Sequence, residues 1–162
     1  MLVTAAEDCA MPVERLVAAM TAFDAWEAAI GRRAPSMRRL DPGPIRPGTR
    51  WRTTLSLLGA ERHIESALRA EEAMPEGGVV LRFDGTAQGV RADVVARAAP
   101  AGSARSRIAV EIAMTGVSLP GKLLLRGMSV ARGPVEDRLA EGVRRFARNV
   151  ENGAAGPGDG VI

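Results

Sequence analysis

Between Leu119 and Val150 the sequence carries the pattern of one long amphipathic helix, and no other stretch restricts the fold as much. Leu124, Met128, Ala131, Val135, Leu139, Gly142, Phe146 and Val150 recur at intervals of three and four, which places them on one apolar or small face. The other side carries Arg126, Arg132, Asp137, Arg138, Glu141, Arg144, Arg145 and Arg148, so this helix requires a hydrophobic surface to lie against. At about 1.5 Å per residue it spans about 50 Å if unbroken. Ser118 suits an N-cap, and Pro120 falls in the first turn, where its missing N–H costs nothing. Gly133 and Pro134 interrupt the middle. Pro134 removes a backbone hydrogen bond and crowds the Val130 carbonyl, so a kink or two helical segments are expected. The bend reads either as a tolerated feature of a surface helix or as a hinge over a cavity.

The surface for that helix is written in the strands before it. From Thr49 to Leu58, Trp51, Thr53, Leu55 and Leu57 alternate with Arg50, Arg52, Thr54 and Ser56. After a reversal at Gly59 and Ala60, Arg62, Ile64, Ser66, Leu68 and Ala70 oppose Glu61, His63, Glu65, Arg69 and Glu71. A turn at Pro75 to Gly78 leads to Val79, Leu81, Phe83 and Gly85. Gln88 and Gly89 lead to Val90, Ala92, Val94 and Ala96, and a loop over 100–103 leads to Ile108, Val110, Ile112 and Met114. Each strand has one apolar face and one charged face, the pattern of an antiparallel sheet covered on one side.

At the amino-terminal end, residues 2–9 form a strand whose Val3, Ala5, Glu7 and Cys9 share a face. Helices follow over 12–22 and 23–33, the second with Phe23, Trp26 and Ile30 at intervals of three and four, and a further strand over 34–41 ends in a proline-rich loop. The expected class is α+β: strand, two short helices, about six more strands, then the long helix. One domain is expected over 1–151, with a flexible tail over 152–162.

Composition excludes several chemistries. Cys9 is the only cysteine and His63 the only histidine, so no Cys/His zinc site, Cys/His nucleophile pair or internal disulfide is expected. A computed pI near 10.3 suggests nucleic acid, but the net charge is only +3 and the charges are interleaved. Lys122 is the only lysine, and this arginine bias points to a GC-rich bacterial genome rather than to a nucleic-acid partner. Glu7 and Asp8 follow the start without a long apolar run, so a cytoplasmic protein with no membrane-spanning segment is expected.

The stretch Met11 to Ile30, MPVERLVAAMTAFDAWEAAI, resembles the opening of the SRPBCC superfamily, also called START-like or helix-grip proteins, and most closely its polyketide cyclase/dehydrase-like branch. The entry of Gly48 to Trp51 into a strand is similar, as is the ending of the terminal helix at Asn149 to Glu151. The resemblance implies a helix-grip fold, a curved antiparallel sheet of six or seven strands wrapped around the C-terminal helix, with a hydrophobic cavity between them. Members bind lipids, sterols, polyketides or other apolar small molecules, and a minority catalyse cyclisation or dehydration.

On this reading the cavity wall is Trp51, Thr53, Leu55, Ile64, Ser66, Leu68, Leu81, Phe83, Val94, Val110, Ile112 and Met114, with Met128 and Val135 on the helical cover. The expected ligand is a hydrophobic small molecule, with no cofactor and no metal. Glu7 and Arg62 are the candidate catalytic pair of a cyclase-type alternative, Glu7 as acid/base and Arg62 on a carbonyl or enolate oxygen. Glu7 reads equally as half of a structural ion pair at the sheet edge or as an exposed carboxylate. His63, between Glu61 and Glu65 on the charged face, reads as a solvated side chain. A protein-interaction module is a third reading, and a monomer and a dimer are both compatible with the pattern.

Overall fold

A computed structural model describes residues 1–32, 36–57, 60–130 and 132–158, without the side chains of residues 55–57 and 60. The expected inward side chain of Leu55, the reversal at Gly59 and the helical position of Ala131 lie outside the described residues. The chain runs β1 (Leu2–Cys9), α1 (Val13–Met20), α2 (Phe23–Gly31), β2 (Ser36–Arg39), β3 (Arg50–Leu57), β4 (Ala60–Ala73), β5 (Val79–Ala87), β6 (Val90–Pro100), β7 (Ser106–Gly116), α3 (Leu119–Val130) and α4 (Arg132–Glu151).

The seven strands form one curved antiparallel sheet in the order β1-β7-β6-β5-β4-β3-β2. The first strand therefore closes against the last, with Ala5 opposite Val110 and Cys9 opposite Ser106. The alternation read from the sequence becomes the concave face through the register. Trp51 lies opposite Ser66, Phe83 opposite Val94, and Ala96 opposite Val110. A bulge between Leu68 and Ala70 shifts the register of β4 against β5 and bends the sheet there. The two-residue turn between β5 and β6 uses Gln88 and Gly89, both at positive φ, the backbone that a tight hairpin requires.

Helical backbone covers the expected stretch as α3 up to Val130 and α4 from Arg132, with Ala131 between them outside the described residues and Pro134 accommodated within α4. Ser118 caps α3 by accepting from the Gly121 N–H at 3.1 Å. The two segments have different floors, α3 packing on β7 and β6 and α4 running along β1. Gly121 is buried, and a Cβ there would overlap the Gly89 carbonyl, so this contact demands glycine.

Helix α4 is clamped at its carboxyl end. Arg15 of α1 donates to the Val150 carbonyl at 2.5 Å and to that of Glu151 at 3.2 Å, and the Ala10 N–H donates to the Glu151 carboxylate at 2.7 Å. The core joins Leu16, Ala19 and Met20 of α1 to Val143, Phe146, Ala147 and Val150 of α4, over Val79, Leu81, Ala98 and Ile108 of the sheet. Burying a side chain such as Phe146 contributes about 1.5–3 kcal/mol.

The segment after 152, expected as a flexible tail, is packed as far as Pro157. Gly156 and Pro157 are buried, and Asn149 Nδ2 donates to the Pro157 carbonyl at 2.8 Å. Gly156 sits so close to Ala25 that a Cβ would meet its methyl group at 2.7 Å. The tail's small residues carry no apolar periodicity, and their close approach to α2 is what orders them. Among the described residues no helix is long and apolar enough to cross a membrane.

Candidate functional site

A cavity of about 400 Å³ lies between the concave face and the helices, within the range of small-molecule sites. Its sheet side is Met37, Trp51, Ser66, Leu81, Phe83, Val94, Ala96, Ile108 and Val110. Its roof comes from α1 and α2 through Met20, Phe23, Trp26, Glu27 and Ile30, and from α4 through Arg138, Leu139, Gly142, Val143 and Phe146. The chain has three phenylalanines, two tryptophans and no tyrosine, and all five aromatic rings line this one space.

Both indoles are fixed by their polar edges. Trp26 Nε1 donates to the Ala19 carbonyl at 3.2 Å, and its ring packs on Phe146 with centroids 5.4 Å apart. Trp51 Nε1 donates to Glu27 Oε1 at 2.5 Å. Each N–H is thus satisfied within the wall, and the flat apolar faces remain for the cavity.

Glu27 is the only carboxylate among the lining residues, and it is fully engaged. Arg39 Nε donates to Oε1 at 2.8 Å and its terminal nitrogen to Oε2 at 2.6 Å, a bidentate pair. The same guanidinium reaches Asp24 at 3.0 Å and the Gly43 carbonyl at 2.8 Å. The Arg39 hydrogen bonds hold the Glu27 carboxyl below its ordinary range; burial opposes them and the Trp51 N–H adds to the lowering. Glu27 is therefore an ionised structural post at neutral pH, unable to give a proton.

Two other polar groups face the space. The Ser66 hydroxyl and the Arg138 guanidinium have no hydrogen-bond or ion-pair partner among the described residues. Arg138 is exposed and lines the cavity, its stem against the apolar wall and its charge towards solvent. A ligand here meets apolar surface nearly everywhere, with one hydroxyl on the sheet and one cation at the rim.

Of the residues expected from the sequence, Trp51, Ser66, Leu81, Phe83, Val94 and Val110 line the cavity. Thr53, Ile64, Ile112 and Met114 share the concave face but lie outside the lining, as does the fully buried Leu68 beside the β4 bulge. Met128 and Val135 are half-buried and also outside it, because the part of α4 that lines the cavity begins only at Arg138. The candidate pair is not assembled. Glu7 lies on β1 beneath α4, where its carboxylate is 3.9 Å from Arg144 Nε, and Arg62 is exposed on β4. Neither lines the cavity. Glu7 thus sits on the edge strand with Arg144, not Arg62, as its nearest cation, and Arg144 itself lies closer to Glu141, at 2.9 Å.

His63 is exposed on the convex face, its Nδ1 3.1 Å from the Thr54 hydroxyl. Burial pushes the Cys9 thiol up to about 11, which makes it inert. No cluster of three or more metal-ligating side chains occurs among the described residues.

The sequence matches no protein-family model and no curated protein. Its architecture does match solved structures. The Zhui aromatase/cyclase from Streptomyces sp. R1128 superposes with a TM-score of 0.62 at 14% identity, over 94% of each chain. The chain has the START-like helix-grip fold. TTHA0849 from Thermus thermophilus superposes at 0.57, with 15% identity over 85% of this chain and 88% of that one. DR_A0006 from Deinococcus radiodurans superposes at 0.53, with 17% identity over 95% and 99%. At these identities the likenesses concern the architecture alone.

Proposed function

We propose that this START-like chain binds an apolar, ring-bearing small molecule in the cavity between sheet and helices, with residues 1–151 as the binding unit. The observation that carries the reading is the gathering of all five aromatic side chains around one space. Aromatic faces favour offset or edge contacts with another ring, at about 0.5–1.5 kcal/mol for each pair beyond the area they bury. Ser66 supplies a hydrogen-bonding group for a carbonyl or hydroxyl on the ligand, and Arg138 favours a polar or anionic group at the rim. The aromatase/cyclase name of the Zhui protein is compatible with ring-bearing ligands on this fold.

Binding is favoured over turnover on the residues themselves. The one lining carboxylate is locked to Arg39 and Trp51, and the Glu7 and Arg62 pair that a cyclase reading needs is far from assembled. Trp26 and Trp51 provide the test, since both emit from the cavity wall. Titration with polycyclic aromatic compounds is expected to change their emission saturably, and more strongly than acyclic hydrocarbons of equal carbon number. No saturable change with any member of either series would overturn the proposal.

A further inference from the structure

Six large hydrophobic side chains are exposed among the described residues, and five of them, Val117, Leu119, Leu123, Leu124 and Val130, fall on or just before α3. Such a concentration differs from the scattered apolar residues of an ordinary surface. Helix α3 is two-sided in a way its role in the fold does not use. Gly121, Leu125 and Met128 face inward, Gly121 against the β5–β6 turn and the other two half-buried. Leu119, Leu123, Arg126 and Val130, spaced at four, seven and eleven, form the opposite pole. There Leu119 is 73% exposed, Leu123 59% and Val130 92%.

The charge of this region is of one sign. Residues 112–135 contain Lys122, Arg126 and Arg132 and no acidic residue. Arg132 is neutralised by Glu136 at 2.7 Å, whereas Lys122 and Arg126 have no carboxylate partner among the described residues. On the strands beneath, Asp93 is already taken by Arg91 at 3.2 Å.

We propose that the outer face of α3 docks on an anionic phospholipid surface. Leu119, Leu123 and Val130 enter the boundary between headgroups and acyl chains, and Lys122 and Arg126, on the same side of the helix, reach up to the headgroup phosphates. Net negative charge in the partner follows from the two unpaired cations. A planar, deformable partner follows from leucines that stand out from a convex helix rather than lining a groove. The cavity lining includes no α3 residue, so this surface is separate from the ligand site.

The test is flotation of the full chain with vesicles of phosphatidylcholine alone and of an equal mixture of phosphatidylcholine and phosphatidylglycerol. The mixed vesicles are expected to retain the protein at least about tenfold better, since each cation near an anionic surface contributes appreciably. Added salt is expected to weaken that retention. Leu119→Ser with Leu123→Ser is expected to abolish it, and so is Lys122→Glu with Arg126→Glu. Arg38→Glu with Arg97→Glu makes the same change of net charge away from α3, on β2 and β6, and is expected to leave it intact. Circular dichroism confirms that each variant is folded. Failure of the mixed vesicles to retain the protein overturns the proposal, as does equal loss in the Arg38/Arg97 control. A self-association that Leu123→Ser removes, without vesicle binding, would assign the surface to a second copy of the chain and overturn it as well.

Discussion

Trp51 donates its indole N–H to Glu27 Oε1 at 2.5 Å, which ties β3 to α2 across the edge of the cavity. The same carboxylate takes two hydrogen bonds from Arg39 on β2, so strand, helix and edge strand meet at one charged post. An ion pair with each side chain about a quarter exposed is worth keeping only when its polar atoms are satisfied, and here they are.

Replacing Glu27 with Gln removes the charge and one acceptor from Arg39 and is expected to destabilise the fold by about 1–3 kcal/mol in urea unfolding. The pH dependence identifies the cause. The folded-state pKa of Glu27 lies below its ordinary value of 4.5, so the pair's contribution is present above that value and is lost as pH falls through the depressed one. The stability gap between wild type and Glu27→Gln is therefore expected to narrow below pH 4.5. Asp41 and Glu141 are also held low, by Arg50 and Arg145, but they are common to both proteins and cancel in the difference. A gap that stays constant on acidification would contradict this assignment.

Cys9 is 0% exposed and its thiol is raised to about 11, chiefly by burial. In the native protein it is expected to resist an aromatic disulfide reagent at mildly alkaline pH, and to react promptly once guanidinium unfolds the chain. The absorbance of the released thiolate measures both rates. Prompt reaction of folded protein would mean that the β1–β7 edge opens easily.

Two glycines of α3 are expected to respond in opposite directions. Gly121 abuts the Gly89 carbonyl, so Gly121→Val must push α3 away from the hairpin and is expected to cost about 1–3 kcal/mol. At Gly127 an added methyl group would meet nothing within 4 Å, so Gly127→Ala is expected to stabilise by about 0.5–1 kcal/mol through helix propensity alone. Urea midpoints for the two variants decide the matter.

The strand alternation identified the concave face because side-chain parity is local: Trp51, Ser66, Phe83 and Val94 are all where period two puts them. Parity does not say how far along the sheet a cavity extends. Thr53, Ile64, Ile112 and Met114 have the right face but lie beyond its end. The roof was harder to read. Phe23, Trp26 and Ile30 showed their helical spacing, but only tertiary packing places α2 across the sheet from α4. Pro134 lies within the helical backbone of α4, and the different floors of α3 and α4 depend on sheet curvature that no local pattern encodes. Glu7 had the expected neighbours Val3, Ala5 and Cys9; its partner Arg144 comes from near the other end of the chain, on a helix whose track over β1 is set by packing.

The most direct test of ligand binding fills the space. Ala96 lines the cavity opposite Val110, and Ala96→Phe places a ring where the ligand is proposed to lie. Titration of wild type and variant with N-phenylnaphthylamine, a neutral apolar fluorophore, should show saturable uptake near one per chain by the wild type alone. The variant should remain folded by circular dichroism. Equal uptake by both proteins, or none by the wild type, would contradict a cavity that binds an apolar ring.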